Sequence, residues 1–230
     1  MKYQKNIYAI ILCGGKGLRL RPITKDIPKP LIKIGEKPIL FYIIKHLLKY
    51  KIKNFIIATG YKSKKIEDFM INTFPSLNYK IVNSGNVAIL DRIKDCLQYI
   101  EGDFILNYGD TLSNINIEKL IEFHNKKSSH VTITSFPITI PFGVMQLNQN
   151  GIVKDFQEKP TLQEVMNIGY YYFTTASHDK IKKSNDLVKL IKSLIKSNQL
   201  KCYQHKGLHI TINTVSELEY AQKNIRSIFK

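Results

Sequence analysis

Residues 7–24 read IYAIILCGGKGLRLRPIT, and residues 28–35 read PKPLIKIG. The run from Ile7 to Cys13 is apolar throughout. It is far shorter than the ~20 residues that span a bilayer, lacks a signal peptide's cleavage pattern, and has the length of a buried strand. It leads straight into Gly14, Gly15 and Gly17, where the lack of Cβ atoms lets backbone N–H groups approach an anion. Arg19 and Lys29 add positive charge, and Pro28 and Pro30 stiffen the backbone around Lys29. A strand feeding a glycine-rich, cationic loop predicts a phosphate-handling α/β fold. Two familiar phosphate loops do not match. Lys16 is followed by Gly17 rather than Ser or Thr, and Leu20 stands where a dinucleotide fingerprint needs its third glycine.

Outward from this loop, apolar runs alternate with stretches of helical period. Strands are predicted at 55–59, 79–83 and 103–108, and helices at 39–50, 64–74, 89–100 and 117–127. Such alternation implies right-handed crossovers and a mostly parallel sheet with its site at the carboxyl ends of the strands. Further on, strands at 131–136, 143–147, 152–156 and 169–174 follow with few helices between them, which predicts a mixed sheet and an antiparallel excursion over a substrate. Thr214 and Glu217 form a T-x-x-E capping box that opens a last helix through Ile228.

The 230 residues suit one α/β domain, and 43% hydrophobic against 23% charged residues supports a packed core, excluding a disordered tail or a fibre. Three cysteines, Cys13, Cys96 and Cys202, make no disulfide framework and fit a reducing cytoplasm. Lys and Arg number 35 against 18 acidic residues, a net charge of +17. The basic residues are spread along the chain with no base–aromatic stripe, so lysine reads as the default surface residue. Neither nucleic acid nor a membrane is expected as a partner.

The loop resembles the signature of the sugar-nucleotidyltransferase family, G-G-x-G-x-R-L followed by P-K-P. Gly60-Tyr-Lys62, Tyr108-Gly-Asp110, Phe156-Gln-Glu-Lys-Pro160 and Asn167-Ile-Gly169 follow in the family's order. Together with Ser84-Gly85 they look most like its CTP-using, cytidylyltransferase branch. The resemblance implies a Rossmann-like nucleotidyltransferase fold, a mixed, mostly parallel sheet flanked by helices. It implies one domain over 1–230, with a nucleotide-binding part at about 1–110 and an acceptor-binding part at about 111–230.

The implied reaction is attack by an acceptor phosphate oxygen on the α-phosphorus of CTP, with release of pyrophosphate. A phosphomonoester is largely dianionic at neutral pH, so no general base is needed; the site must align two polyanions and neutralise their charge. The family implies Arg19 on the β/γ-phosphates and Lys29 at the reacting centre. It implies Lys159 on the acceptor phosphate, Glu158 on acceptor hydroxyl or amine groups, and Tyr108, Gly143, Asn167 and Gly169 on the same side. Leu12, Cys13, Gly14, Gly15 and Gly17, with Ser84, Gly85 and Arg92, are expected at the nucleotide. Mg²⁺ is the implied cofactor, with Asp110 as ligand and Asn213 where the family usually has a second Asp. The product would be a CDP-activated precursor of capsule or surface polysaccharide. Residues 90–93 read LDRI where the branch has G-G-R-L, and the chain is shorter than typical hexose-1-phosphate members. Both departures favour an unusual acceptor, phosphoglutamine, with glucose 1-phosphate as the alternative. A non-catalytic nucleotide sensor is the rival from another class.

Two other patterns are read as ordinary structure. Cys202, His205 and His209 have a zinc-like spacing, but Gly207 interrupts it and the stretch reads as strand–turn–strand. His46 and His124 read as interface or surface residues on helices. Of the run Tyr170 to Tyr172, one face is expected in the core and the other beside the substrate.

Overall fold

The computed structural model describes residues 6–229, and at its centre lies the strand read first, Tyr8–Cys13. Asn54–Thr59 pairs with it in parallel on one side and Phe104–Tyr108 on the other, so that Leu12 faces both Ala58 and Tyr108. Asn78–Asn83 extends the sheet beyond Asn54–Thr59. On the far side Thr161–Phe173 runs antiparallel between Phe104–Tyr108 and Val131–Thr139, and Leu200–Gln204 closes the edge. The seven strands form one mixed, mostly parallel sheet.

Helices cover both faces because their apolar residues recur at helical spacing. In Ile39–Lys49, the side chains of Ile39, Leu40, Ile43, Ile44 and Leu47 are fully buried. One core lies on each side of the sheet, and the period of two along a strand divides its side chains between them. Tyr170 and Tyr172 enter one core and Tyr171 the other. All three are buried, so the expectation that one face of this run borders the substrate is not met.

The elements of the first half fall within a few residues of their expected places. The second half departs, because helices His178–Lys183 and Leu187–Lys196 precede the strand Leu200–Gln204. Asp186 caps the second of them, accepting from the Lys189 N–H, and Leu190 and Leu194 bury its apolar face. His46 and His124 are buried rather than superficial. His46 Nε2 bonds the Ile115 carbonyl, and His124 Nδ1 bonds the Thr132 hydroxyl. The antiparallel excursion is a two-stranded arm, Gly143–Leu147 against Val153–Glu158, exposed along both strands. Among the described residues no helix is long and apolar enough to cross a membrane.

Candidate functional site

The strands end in a row: Cys13 stands opposite Thr59, and Thr59 opposite Asn83. The loops that begin at Gly14, Gly60, Ser84 and Gly109 therefore leave the same edge of the sheet. Strand order reverses between Tyr8–Cys13 and Phe104–Tyr108, and such a switch point leaves a crevice between diverging loops. One pocket lies there, lined by Leu12, Cys13, Gly14, Gly15, Lys29, Pro30, Ile89, Arg92, Tyr108, Gly109 and Asp110.

At its mouth three distant parts of the chain converge. Lys29 opens a short turn after Pro28, and its ammonium forms an ion pair with the Asp110 carboxylate. The same Nζ donates to the Asn213 amide oxygen at 2.9 Å, and Arg19 Nη2 donates to that oxygen at 2.8 Å. Asn213 is fixed from behind. His209–Thr211 pairs with Thr111–Ser113, and the Ile212 N–H donates to the Asp110 carbonyl. The Glu217 carboxylate then accepts from the N–H groups of Asn213 and Thr214, so the capping box of the last helix also sets position 213. The T-x-x-E pattern was legible, but its reach to Asn213 was not.

Arg92, only 5% exposed as a residue, lines the pocket, and its guanidinium is bonded to backbone. It donates to the carbonyls of Thr59 and, at 2.9 Å, Gly85, tying together loops that leave neighbouring strands. A Cβ on Gly14 would collide with this guanidinium, whereas one on Gly15 would meet open space. Gly14 is needed for Arg92, whereas the space beside Gly15 is open. The Thr24 hydroxyl donates to the Gly17 carbonyl at 2.8 Å and closes the cationic loop. Ser84 Oγ, next to this cluster, is buried without a hydrogen-bond partner. Leu90 and Asp91 stand where the family has its two glycines, and Leu90 and Ile93 are core residues of the helix Ile89–Leu97.

Burial pushes the Cys13 thiol far up, and the nearby Asp110 charge adds to the effect. Burial likewise raises the Tyr108 phenol, whose neighbour Tyr171 contributes. Both stay protonated at neutral pH, so neither supplies a nucleophile. The Tyr108 hydroxyl meets that of Tyr171, which also receives the Asn167 amide. Gly169 packs beneath the Tyr108 ring. Asn167 and Gly169 thus bear on the pocket through Tyr108.

Glu158, Lys159 and Gly143 are not brought to the pocket. They lie on the exposed arm, where the side chains of Glu158 and Lys159 are 62% and 65% exposed. Cys202, His205 and His209 do not gather either: His205 Nε2 bonds the Leu208 carbonyl, and His209 Nε2 the Thr211 hydroxyl. No group of three His, Cys, Asp or Glu able to hold a metal occurs among the described residues. One carboxylate and one amide oxygen, gathered on the Lys29 ammonium, fit a different kind of site. Mg²⁺ accepts one or two protein oxygens when phosphates and water complete its shell.

A family model described as "Nucleotidyl transferase" matches residues 8–212. The chain is 33% identical over 236 residues to a Bacillus subtilis (strain 168) protein named "Probable glucose-1-phosphate cytidylyltransferase", covering 91% of this chain and 92% of that one. It is 30% identical over 247 residues to the "Glucose-1-phosphate cytidylyltransferase" of Salmonella typhi, covering 93% and 94%. Because the chain spans nearly the whole of both relatives, its length gives no ground for an unusual acceptor. Among solved structures, HddC from Yersinia pseudotuberculosis shares the fold, with a TM-score of 0.74, 24% identity and coverage of 95% of this chain and 99% of that one.

Proposed function

The chain belongs to the nucleotidyl transferase family, and we propose that it is a cytidylyltransferase that joins CTP to a small phosphorylated acceptor. The observation that carries this reading is the convergence of Arg19, Lys29, Asp110 and Asn213 at the mouth of the switch-point pocket. The names of the two cytidylyltransferase relatives support the choice of base.

The base lies against Leu12, Cys13 and Gly14 and near Ser84 and Gly85. The triphosphate runs over Gly15 and Gly17 toward Arg19 and Lys29. Arg19 holds the leaving pyrophosphate with its planar fork, and Lys29 neutralises charge at the reacting phosphate. An acceptor phosphate oxygen forms the new bond to the α-phosphorus as the bond to the pyrophosphate oxygen breaks. Asp110 and Asn213 hold Mg²⁺, which screens the two polyanions from each other when bound. With one charged ligand in place of two, the nucleotide supplies most of the negative charge that retains the ion.

Acceptor contacts come from Tyr108, Asn167, Gly169 and the arm residues Gly143, Glu158 and Lys159. Phosphoglutamine is the acceptor proposed first, on the loss of the branch's two glycines at positions 90 and 91. The relatives' names favour glucose 1-phosphate as the second. The product serves capsule or surface-polysaccharide assembly from the cytoplasm, a setting in keeping with three unpaired cysteines. A pyrophosphate-release screen of four triphosphates against phosphorylated sugars, polyols and amino-acid derivatives tests all of this. Release with CTP and one acceptor class is expected. CTP binding without release in any combination would assign the chain to nucleotide sensing.

A further inference from the structure

The cationic loop has little packing of its own. Between Gly15 and Ile27 only Leu20 and Thr24 are buried. Much of its support comes from the Gly60-Tyr-Lys62 motif at the end of the neighbouring strand and from the helix Ser63–Thr73 that follows. Tyr61 itself does not line the pocket.

Four backbone carbonyls of the loop accept hydrogen bonds from there. The Tyr61 N–H donates to the Gly14 carbonyl at 3.2 Å, where the loop begins. The Tyr61 hydroxyl donates to the carbonyls of Lys25 at 2.9 Å and Thr24 at 3.2 Å, near its far end. One proton shared between two acceptors makes a three-centre bond. Lys65 donates to the Asp26 carbonyl at 2.7 Å. Tyr61 thus holds the loop at both ends. The Lys62 ammonium lies over its ring, 5.4 Å from the centre, and Arg92 holds the Thr59 carbonyl two residues earlier.

From Tyr61 the bonds run on into the loop. Thr24, whose carbonyl Tyr61 holds, donates its hydroxyl to the Gly17 carbonyl at 2.8 Å. Gly17, left-handed at φ 60°, opens the short turn Leu18–Leu20. Arg19 stands in that turn and reaches the Asn213 amide oxygen from it. The line Tyr61–Thr24–Gly17 therefore sets the turn from which the exposed cation extends.

We infer that Tyr61 is a positioning residue. Its hydroxyl shapes the half of the loop that meets the β- and γ-phosphates, without touching the nucleotide. This rests on the triphosphate path given above, over Gly15 and Gly17 toward Arg19.

The test compares CTP with CMP. CMP ends at the phosphate that reacts and does not extend to Arg19. Tyr61→Phe keeps the ring and the N–H to Gly14 and removes only the hydroxyl. Calorimetry should show CTP binding weakened by about tenfold, the scale of one hydrogen bond, with CMP binding unchanged. Thr24→Val removes the donor to Gly17 and should show the same selective loss. The double variant should lose less than the two single losses added together, because both act through one line of bonds. Thermal unfolding of each protein confirms that it is folded, and Thr24→Val decides the comparison if Tyr61→Phe does not fold. CTP binding equal to that of the wild type, or equal weakening of CTP and CMP, overturns the positioning role while the nucleotide site stands. A wild type that binds no CTP overturns the triphosphate path itself, and this inference with it.

Discussion

Lys29 and Asp110, 81 positions apart, meet as an ion pair at the mouth of the pocket, and the same ammonium reaches the amide oxygen of Asn213 from 184 positions away. A cation held between two oxygen ligands keeps both in place and occupies the ground on which phosphate and metal would meet.

Removing either of the two cations at this point should slow transfer while leaving the fold intact. Lys29→Ala and Arg19→Ala are each expected to lower turnover by roughly 10²–10³, the scale of one preorganised charge contact. Asp110→Ala should abolish metal-dependent turnover. Steady-state pyrophosphate release at saturating CTP measures all three, and wild-type rates in one of them would remove that residue from its role.

In the proposed site, Asn213 would leave the metal with a single charged protein ligand. Asn213→Asp restores the second charge and should lower the Mg²⁺ concentration for half-maximal rate by about tenfold, since ligand charge tunes such sites. A magnesium titration of the two proteins checks this; an unchanged midpoint means that position 213 does not hold the ion.

Arg92 clamps the loops proposed to contact the nucleotide. Arg92→Met leaves the carbonyls of Thr59 and Gly85 without this donor, at a cost of ~1–3 kcal/mol. Thermal unfolding should show the loss, and KM for CTP should rise more than kcat falls. A variant that lowers kcat alone would make Arg92 a group acting in the transition state instead.

Gly169 has φ +74°, and a Cβ there would lie 2.6 Å from the Tyr108 ring. Gly169→Ala therefore meets strain and a collision together and should lower stability by about 1–3 kcal/mol. Urea unfolding measures it, and a midpoint equal to that of the wild type would show that the ring yields freely.

Two histidines, His46 buried and His209 half-buried, set an acid limit. Burial lowers His46 and His209 from 6.5 to about 4, because the charged ring loses its hydration. The unfolded chain then binds more protons between pH 6.5 and 4, so stability rises with pH across that window. It is fully present above 6.5 and is lost toward pH 4, by up to ~1.4 kcal/mol per pH unit for each histidine. Denaturant midpoints at pH 7.5, 5.5 and 4.5 should fall in that order, and removing both histidines should flatten the trend.

Much of this was readable one segment at a time. Ile7 to Cys13 had to be a buried strand, and the glycines after it had to end that strand in a loop. The capping box at Thr214 and Glu217 declared the last helix. The helix Leu187–Lys196 announced itself just as clearly through Asp186 and the spacing of Leu190 and Leu194. The strand-rich stretch before it masks that signal.

By itself the sequence determined the alternation of strands and helices, the cationic glycine loop and the family. These follow from periodicity and from short-range backbone chemistry, which a segment carries with it. Only the tertiary structure decided that Lys29 would bridge Asp110 and Asn213, that Arg92 would hold loop carbonyls, that Tyr171 would be covered, and that Glu158 would stand away from its own pocket. Those outcomes depend on strand order and on which loops leave the sheet side by side. No local pattern encodes contacts between residues that lie far apart along the chain.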